Sequence, residues 1–242
     1  MSRHGEANPG LVAEDLFRRE GARLVATLAA HLGTRRLQLA EDVVQEALVR
    51  ALQTWPYRGI PANPAAWLTQ TAKNLALDAL RRERTWQRKE ARVTAEQESW
   101  LTRDVLPDEH HLTDDTLRLL FVCFHPQLSI EAQLALALRT VCGLSQAEIG
   151  AAFLVSEAAV AKRLVCARQL IRDLRLPFAV PEAGDLPPRL EGVLAALYLL
   201  FNEGYKASAG PRLIRQELCH EAIRLTRLLD AHPATSPGVA GS

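Results

Sequence analysis

Apolar residues recur at intervals of three and four along most of this chain, which is the period of a helix with one buried side. The pattern is sharpest over residues 144–171, LSQAEIGAAFLVSEAAVAKRLVCARQLI. Ser145 and Glu148 have the spacing of a capping box, so a helix is expected to begin after Ser145 and to run to about Phe153. Ser156 is a second N-cap residue, which predicts another helix directly after it.

The second helix of this pair has an apolar side and a basic side. Val160, Leu164 and Ala167 form the predicted buried stripe. Lys162 and Arg163 lie off that stripe. Two short helices joined by a tight turn constitute a helix-turn-helix, whose second helix can enter the major groove of DNA. The alternative is an ordinary helical hairpin with a solvated basic side.

The same period predicts further helices on both sides of this motif. Trp55-Pro56 should end one of them, and Asn63 followed by Pro64 should begin the next. The composition is rich in Ala, Leu and Arg, which favour helix, and only 5% of the residues are aromatic. We therefore expect an all-α fold, with helices near residues 11–32, 39–55, 64–84, 113–124, 129–141, 190–202 and 212–230.

Charge and cysteine content narrow the function classes. The net charge of the 242 residues is only +1, so affinity for nucleic acid would have to come from local clusters. The four cysteines include no CxxC pair and suggest reduced thiols of an intracellular protein. We find no signal peptide and no apolar run long enough to span a bilayer, and we expect a cytoplasmic protein with no membrane contact.

Residues 39–56 carry a second surface besides their apolar stripe. Asp42, Gln45, Glu46 and Val49 share this surface. Acidic residues near a helix start stabilise the macrodipole, which is the purely structural interpretation. The functional interpretation is a face that binds a partner and is acidic at its centre.

Residues 64–84 also combine two surfaces. Leu68, Ala72 and Leu75 are predicted to pack inward, whereas Trp67, Gln70, Asn74 and Arg81 share another face. Aromatic rings stack on bases, amides read base edges and arginines hold phosphates, so this face suits a nucleic-acid strand. The structural alternative is that Trp67 belongs to the core, because a large aromatic side chain contributes so much buried area.

Three segments in order resemble the bacterial RNA polymerase sigma factors of the extracytoplasmic-function (ECF) type, in the sigma-70 family. They are DVVQEALVRA (42–51), WLTQTAKNLALDALRR (67–82) and the helix-turn-helix at 144–171, and the resemblance covers about residues 11–176. It implies a non-enzymatic subunit that binds core RNA polymerase and directs recognition and melting of promoters with −35 and −10 elements. The implied partners are promoter DNA, the clamp helices of the largest polymerase subunit and the flap of the second-largest subunit.

The resemblance also implies roles for individual residues. The residues that match the face docking on the clamp helices are Asp42, Val43, Gln45 and Glu46. The −10 element would be bound by Trp67, Gln70, Asn74, Arg81, Arg82 and Arg84, among which Asn74 matches a residue that helps to read a flipped base. The −35 element would be bound by Ser156, Lys162, Arg163, Val165 and Arg168. Two residues depart from the family pattern. Cys166 stands where members often carry arginine, and Ala161 is small where a base-reading residue often stands. Both departures concern which bases the second helix would read.

The resemblance and the composition together predict the domain order. A region-2 domain is expected at 10–85, a linker at 86–112, a region-4 helix-turn-helix domain at 113–177, a helical extension at 187–231 and a disordered tail at 232–242. The linker is mixed in charge and suits a solvated tether. The extension resembles a subgroup with an added C-terminal helical domain, and its helices could contact a regulatory partner or the chain itself.

Two other function classes are alternatives to a sigma factor. An autonomous helix-turn-helix regulator with a helical sensor domain would bind closed duplex as a dimer without polymerase. An enzyme is not expected, because the sequence has no Gly-rich phosphate loop, nucleophile elbow or convincing metal cluster. Cys123 and His125 lack a second ligand pair at usable spacing, so we expect no metal and no cofactor.

Overall fold

The computed structural model describes residues 9–86, 95–102, 109–182, 184–206 and 214–231. It describes the side chains of residues 20–83, 99–102, 115–182, 184–202 and 219–231. Over these ranges every regular element is a helix, which confirms the predicted all-α class. The chain divides into two compact units, residues 1–112 and residues 113–242.

The first unit packs three long helices around an aliphatic core. They are α1 (Pro9–Leu32), α2 (Leu37–Arg58) and α3 (Pro64–Trp86), with a 3₁₀ turn at Thr34–Arg36 and a shorter helix α4 (Ala95–Thr102). Small residues let the helices approach closely, since Ala26, Ala47 and Ala72 are fully buried. Asn63 caps α3 by accepting a hydrogen bond from the Ala66 N–H at 3.0 Å, with Pro64 in the first position, as predicted.

The second helix does not end at Trp55-Pro56 as the sequence suggested. It continues through Pro56 to Arg58 and stops at Gly59, where φ is 81°. Pro56 removes one helical N–H, but it lies in the last turn of α2, which is closed by the Gly59 N–H on the Trp55 carbonyl at 2.9 Å. Trp55 is only 1% exposed, so this turn is built on a buried tryptophan.

The segment expected to be a solvated linker contains structure. Residues 95–102 form α4, which packs on α1 and α3. Leu101 is 1% exposed, so this helix adds to the core of the first unit. The expectation of a plain tether is therefore corrected for these eight residues. The five domain boundaries themselves stay predictions.

In the described part of the second unit the chain forms six helices, the first of which begins four residues before the unit's boundary. They are α5 (Glu109–Cys123), α6 (Ile130–Thr140), α7 (Gln146–Phe153), α8 (Glu157–Leu174), α9 (Leu186–Lys206) and α10 (Ile214–Ala231). Ser129 caps α6 through the Ala132 N–H at 3.3 Å. A turn was expected at Gly204, but α9 continues two residues beyond it.

The last two helices pack on each other and on the rest of the second unit. Val193, Leu197 and Leu225 form their shared apolar seam. Arg189 donates a hydrogen bond to the carbonyl of Phe121 at 2.6 Å, near the end of α5. Arg224 donates to the carbonyl of Val141 at 3.3 Å, directly after α6. Cations at helix C-termini satisfy carbonyls that have no partner within the helix, so these two arginines fasten the hairpin to the unit.

Candidate nucleic-acid interface

The polar face of α2 is exposed for about two turns. Asp42 and Glu46 are exposed and Gln45 is half-buried. Glu46 pairs with Arg50 at 3.2 Å, so part of its charge is balanced locally. Val43, which the resemblance placed on this face, is only 6% exposed and packs into the core. It lies one helical step, about 100°, from Asp42, which turns its side chain inward and leaves Asp42, Gln45 and Glu46 to form the surface.

Two apolar side chains extend this face toward the end of α2. Val49 is 43% exposed and Leu52 is 38% exposed. Leu52 lies outside the inner stripe of α2, in which Val44, Ala47 and Ala51 are buried. An acidic patch next to exposed aliphatic residues is the composition of a protein-binding face, in which the apolar part supplies affinity and the charges fix orientation.

The face of α3 is organised by a side-chain hydrogen bond. Gln70 Nε2 donates to Asn74 Oδ1 at 3.2 Å, so the two amides are aligned one turn apart. Asn74 is exposed and keeps its own amide N–H groups for a ligand. This arrangement presents amide donors and acceptors in fixed positions, which is what reading the edge of a base requires.

Trp67 stands at one end of the α3 face and is half-buried. Its ring meets the buried Trp55 edge to face, with 5.5 Å between centroids and an angle of 68°. It is therefore neither a core residue nor a freely standing platform. Because Trp55 holds one edge of the ring, Trp67 can offer its remaining surface for stacking in a fixed orientation.

Basic residues stand at the other end of the α3 face. Arg81 and Arg82 are exposed. Arg81 lies 3.9 Å from the Asp78 carboxylate, and Arg82 donates to the backbone carbonyl of Asp78 at 3.2 Å. Arg84 belongs to α3, but its side chain lies outside the described residues.

The turn between α7 and α8 has the geometry of a helix-turn-helix. Ser145 and Glu148 make both bonds of the predicted capping box, at 3.2 Å and 2.7 Å. Leu154 ends α7 in the left-handed conformation with φ 54°, and its side chain is 85% exposed. Ser156 caps α8 by accepting from the Ala159 N–H at 3.2 Å.

Gly150 makes the tight turn sterically feasible, and the sequence analysis did not single it out. An added Cβ would lie 2.8 Å from the carbonyl oxygen of Val155, closer than such atoms approach. The Val155 N–H also bonds to the carbonyl of Gly150 at 2.9 Å. The signal available in the sequence was a glycine inside a short helix, where it is disfavoured unless backbone must come close.

The outer side of α8 is mixed basic and apolar. Val160, Leu164, Ala167 and Ile171 are buried, as the predicted stripe requires. Lys162 is exposed and Val165 is 62% exposed, both on the opposite side. The helix carries four basic and two acidic residues, so it is locally cationic in a nearly neutral protein. A cationic helix with a free outer side is suited to lie in a major groove.

The two arginines predicted for this surface lie on different flanks of α8. Five residues separate Arg163 from Arg168, which places them about 140° apart around the helix. Both are partly buried. The pKa of Glu131 on α6 is lowered, first by its own backbone N–H, then by the Ser129 hydroxyl, and least by the Arg163 charge. The Arg163 charge therefore acts on a carboxylate of α6, whereas Arg168 lies on the other flank of α8.

A groove of about 340 Å³ runs between α9 and α10. It is lined by Leu194, Leu197, Tyr198, Phe201, Ala222, Ile223, Thr226 and Arg227.

Across the described residues, no group of three or more His, Cys, Asp or Glu side chains could hold a metal ion. Over the same ranges, no helix is long and apolar enough to cross a membrane.

Comparison with known proteins identifies the family. Residues 16–85 match the sigma-70 region 2 family, and residues 189–241 match a family of unknown function, DUF6596. The chain is 36% identical over 138 residues to the ECF RNA polymerase sigma factor SigL of Mycobacterium tuberculosis, covering 57% of this chain and 73% of SigL. The chain belongs to the ECF sigma factors of the sigma-70 family.

A second relative shares more of this chain. The uncharacterized protein R00370 of Rhizobium meliloti is 45% identical over 204 residues, which are 81% of this chain and 47% of that protein. The chain therefore spans about half the length of this relative. No solved structure matches the chain. Sigma factors are non-enzymatic transcription initiation factors, in agreement with the prediction that this protein is not an enzyme.

Proposed function

We propose that this protein binds core RNA polymerase, directs it to promoters with −35 and −10 elements, and opens the DNA for initiation in the cytoplasm. The observation that carries the proposal is that α2, α3 and α8 each turn a polar face outward while burying a separate apolar stripe. Because the chain belongs to the ECF sigma factors, a shared role of these three faces in transcription initiation is supported.

The α2 face would dock on the polymerase. Asp42, Gln45 and Glu46 supply an acidic rim, and Val49 with Leu52 supplies the apolar centre. This composition fits a basic coiled-coil surface such as the clamp helices of the largest subunit. The second unit, which contains the helix-turn-helix, would bind the flap of the second-largest subunit. The outer side of α8 would then face the DNA.

The α3 face would capture the opened −10 strand. No covalent chemistry is needed, because stacking a base on an aromatic ring is worth about 1–3 kcal/mol and offsets an unpairing cost of a few kcal/mol. Trp67 offers a ring held in place by Trp55, and the Gln70–Asn74 pair offers amides to a base edge. Arg81 and Arg82 would hold phosphates of the same strand.

The outer side of α8 would lie in the major groove of the −35 element. Ser156 is at the N-terminus of α8, where backbone N–H groups and the helix dipole favour a phosphate. Lys162 and Val165 project from the middle of that side, so a phosphate contact and an apolar contact to a thymine methyl are the interactions available.

Reconstitution with purified core RNA polymerase tests the proposal. The protein should co-elute with core enzyme and support transcription from a promoter with −35 and −10 elements, whereas core enzyme alone should not. If the protein instead shifted a palindromic duplex without polymerase and failed to co-elute, it would be an autonomous helix-turn-helix regulator and the proposal would be wrong.

A further inference from the structure

The turn between α7 and α8 holds a leucine in a backbone conformation that favours glycine. Leu154 has φ 54° and ψ 38°, which lie in the left-handed region. The turn imposes this conformation, because the N–H groups of Leu154 and Val155 both bond to the Gly150 carbonyl, the latter at 2.9 Å. A side chain with a Cβ is strained there, whereas glycine is not. The chain therefore carries a leucine at a position where leucine costs stability.

Other helix ends in the described chain provide a comparison for Leu154. Gly59 ends α2 with a positive φ and has no side chain, and Arg175 ends α8 with φ 51° and an exposed polar side chain. Leu154 differs because its side chain is apolar and 85% exposed. Among the described large apolar side chains, only Tyr57 is more exposed. The little burial that remains does not offset the strain, so the leucine is best explained by a contact outside the chain.

The position of Leu154 relative to α8 indicates where that contact lies. Leu154 precedes by two residues Ser156, whose hydroxyl caps α8 by accepting from the Ala159 N–H at 3.2 Å. In a helix-turn-helix, the N-terminal residues of the second helix contact base edges in the major groove. On α8 itself, Lys162 and Val165 project from the outer side. With α8 in the groove as proposed above, Leu154 lies where the N-terminus of the helix meets the DNA.

The chemistry of the side chain narrows the ligand. A leucine side chain neither donates nor accepts a hydrogen bond, so it offers nothing to a phosphate or to the polar groups of a base edge. The apolar group that the major groove exposes is the C5 methyl group of thymine. A protein partner fits less well, because a stable interface covers about 800 Å² on each side. The exposed residues near Leu154 in the sequence are small or polar, namely Ala151, Ser156 and Glu157.

We propose that Leu154 is a specificity residue that packs on the C5 methyl group of a thymine at one edge of the −35 element. This inference rests on the proposed function, since it requires α8 to lie in the major groove. Among the four bases of DNA only thymine carries this methyl group, so the contact favours thymine at that position. The leucine costs stability in the free protein and contributes affinity and sequence preference in the complex.

Replacement of thymine by uracil tests the contact, because uracil lacks only the C5 methyl group. The holoenzyme formed by the full chain and core RNA polymerase is bound to a promoter that it transcribes, and each thymine in and beside the −35 element is replaced in turn. The affinity of the natural holoenzyme should fall about fourfold at one of these thymines, the value for withdrawing one methyl group from water. Leu154→Gly should bind the unmodified promoter about fourfold more weakly and should not respond to uracil at that position.

Three variants distinguish a contact with DNA from a structural role of the leucine. Leu154→Gly should raise the melting temperature by about 2–4 °C, because it relieves the left-handed strain and removes little burial. Arg175→Gly relieves the same strain at the other end of α8, so it should give a similar rise and leave the response to uracil unchanged. Leu154→Met keeps a large apolar side chain and should retain the response to uracil.

Four results would overturn the inference, and they separate it from the proposed function. A lower melting temperature of Leu154→Gly would mean that the leucine stabilises the unit by packing. Loss of co-elution with core polymerase by this variant would assign Leu154 to the polymerase instead of DNA. An equal response of both holoenzymes to every uracil substitution would show that Leu154 contacts no methyl group, while the proposed function would stand. A natural holoenzyme that bound no promoter would refute the proposed function and this inference with it.

Discussion

Two helices are proposed to bind DNA, α3 in the first unit and α8 in the second. Their DNA-binding faces differ in chemistry. The centre of the α3 face is uncharged, with an edge-held tryptophan and a pair of amides bonded to each other. Arg81, at one end of this face, pairs with the Asp78 carboxylate. The outer side of α8 instead carries an exposed lysine beside an exposed valine, on a helix with excess positive charge.

This difference matches two forms of nucleic acid. A single strand exposes base faces and edges, which stacking and amides can bind. A closed duplex exposes phosphates and groove edges, for which a cationic helix provides affinity that depends on salt. A net charge of +1 is compatible with this proposal, since the centre of the α3 face relies on stacking and amides and its arginines lie at one end. The α2 face, acidic and apolar, belongs to neither type and is the one suited to protein.

The largest effect is expected at that acidic face. Asp42→Arg should reduce co-elution with core polymerase by about 100-fold or more, because like charges across an interface cost several kcal/mol. Glu46→Arg should have a smaller effect, since Arg50 already balances that carboxylate at 3.2 Å. Glu20→Arg reverses an acid on α1 of the same unit and serves as the control. Normal core binding by Asp42→Arg would show that α2 does not face the polymerase.

The next effect concerns the turn that orients α8. Gly150→Ala should destabilise the protein by about 1–3 kcal/mol, because the new methyl group would press on the Val155 carbonyl at 2.8 Å. Gly192→Ala is the matched control, since nothing lies within 4 Å of its added Cβ and it is inside α9. It should stabilise by about 0.5–1 kcal/mol. Thermal unfolding of the full chain compares them, and equal melting temperatures would contradict the close approach at Gly150.

A third prediction addresses the uncharged face. Asn74→Ala should slow promoter opening by about tenfold, while initial binding to closed DNA stays within about twofold, because one amide contact to a base is worth about 1–3 kcal/mol. A fluorescent base analogue in the −10 element reports opening, and a filter assay reports binding. Asn202→Ala removes the same side chain from α9 and should change neither. A parallel loss of binding and opening would place Asn74 on the duplex and not on the open strand.

The smallest effect is expected on α8, and it should appear in the salt dependence. Lys162→Ala should lower the slope of log affinity against log salt concentration by about 0.9, the value for one phosphate contact. Arg163→Ala should lower it less, because Arg163 is partly buried and its charge also acts on the Glu131 carboxylate. Arg227→Ala removes a positive charge from α10 and should leave the slope alone. An unchanged slope in the Lys162 variant would show that Lys162 contacts no phosphate, and the comparison of α8 with α3 would fail.

The sequence was a reliable guide where structure depends on neighbours along the chain. The capping box at Ser145 and Glu148, the cap at Asn63 and the buried stripe of α8 all formed as predicted. These features depend on residues at most four positions apart or on one helical period, so a local pattern contains the required information. The assignments of individual residues to polymerase, −10 and −35 contacts stay predictions, and the variants above test them.

Other features could not be predicted from the sequence, because they depend on residues that are far apart in the chain. The resemblance places Val43 on the polymerase-binding face of α2 with three other residues. The packing of α1 and α3 around α2 buries it instead. Pro56 indicates a helix end in the sequence, but α2 continues to Arg58 beyond the buried Trp55. Arg189 and Arg224 look like ordinary surface arginines, and their partners Phe121 and Val141 lie 68 and 83 residues away.

What the sequence by itself determined is every described α-helix except α4, the caps at Asn63, Ser145 and Ser156, and the buried stripes of α3 and α8, because these follow from short-range spacing. Only the tertiary structure decided that residues 95–102 pack against His31 and Lys73, and that the last two helices are fastened to the ends of α5 and α6. The physical reason is that stacking, cation–π and cap contacts depend on distances in space. A local pattern of hydrophobic and polar residues does not specify those distances.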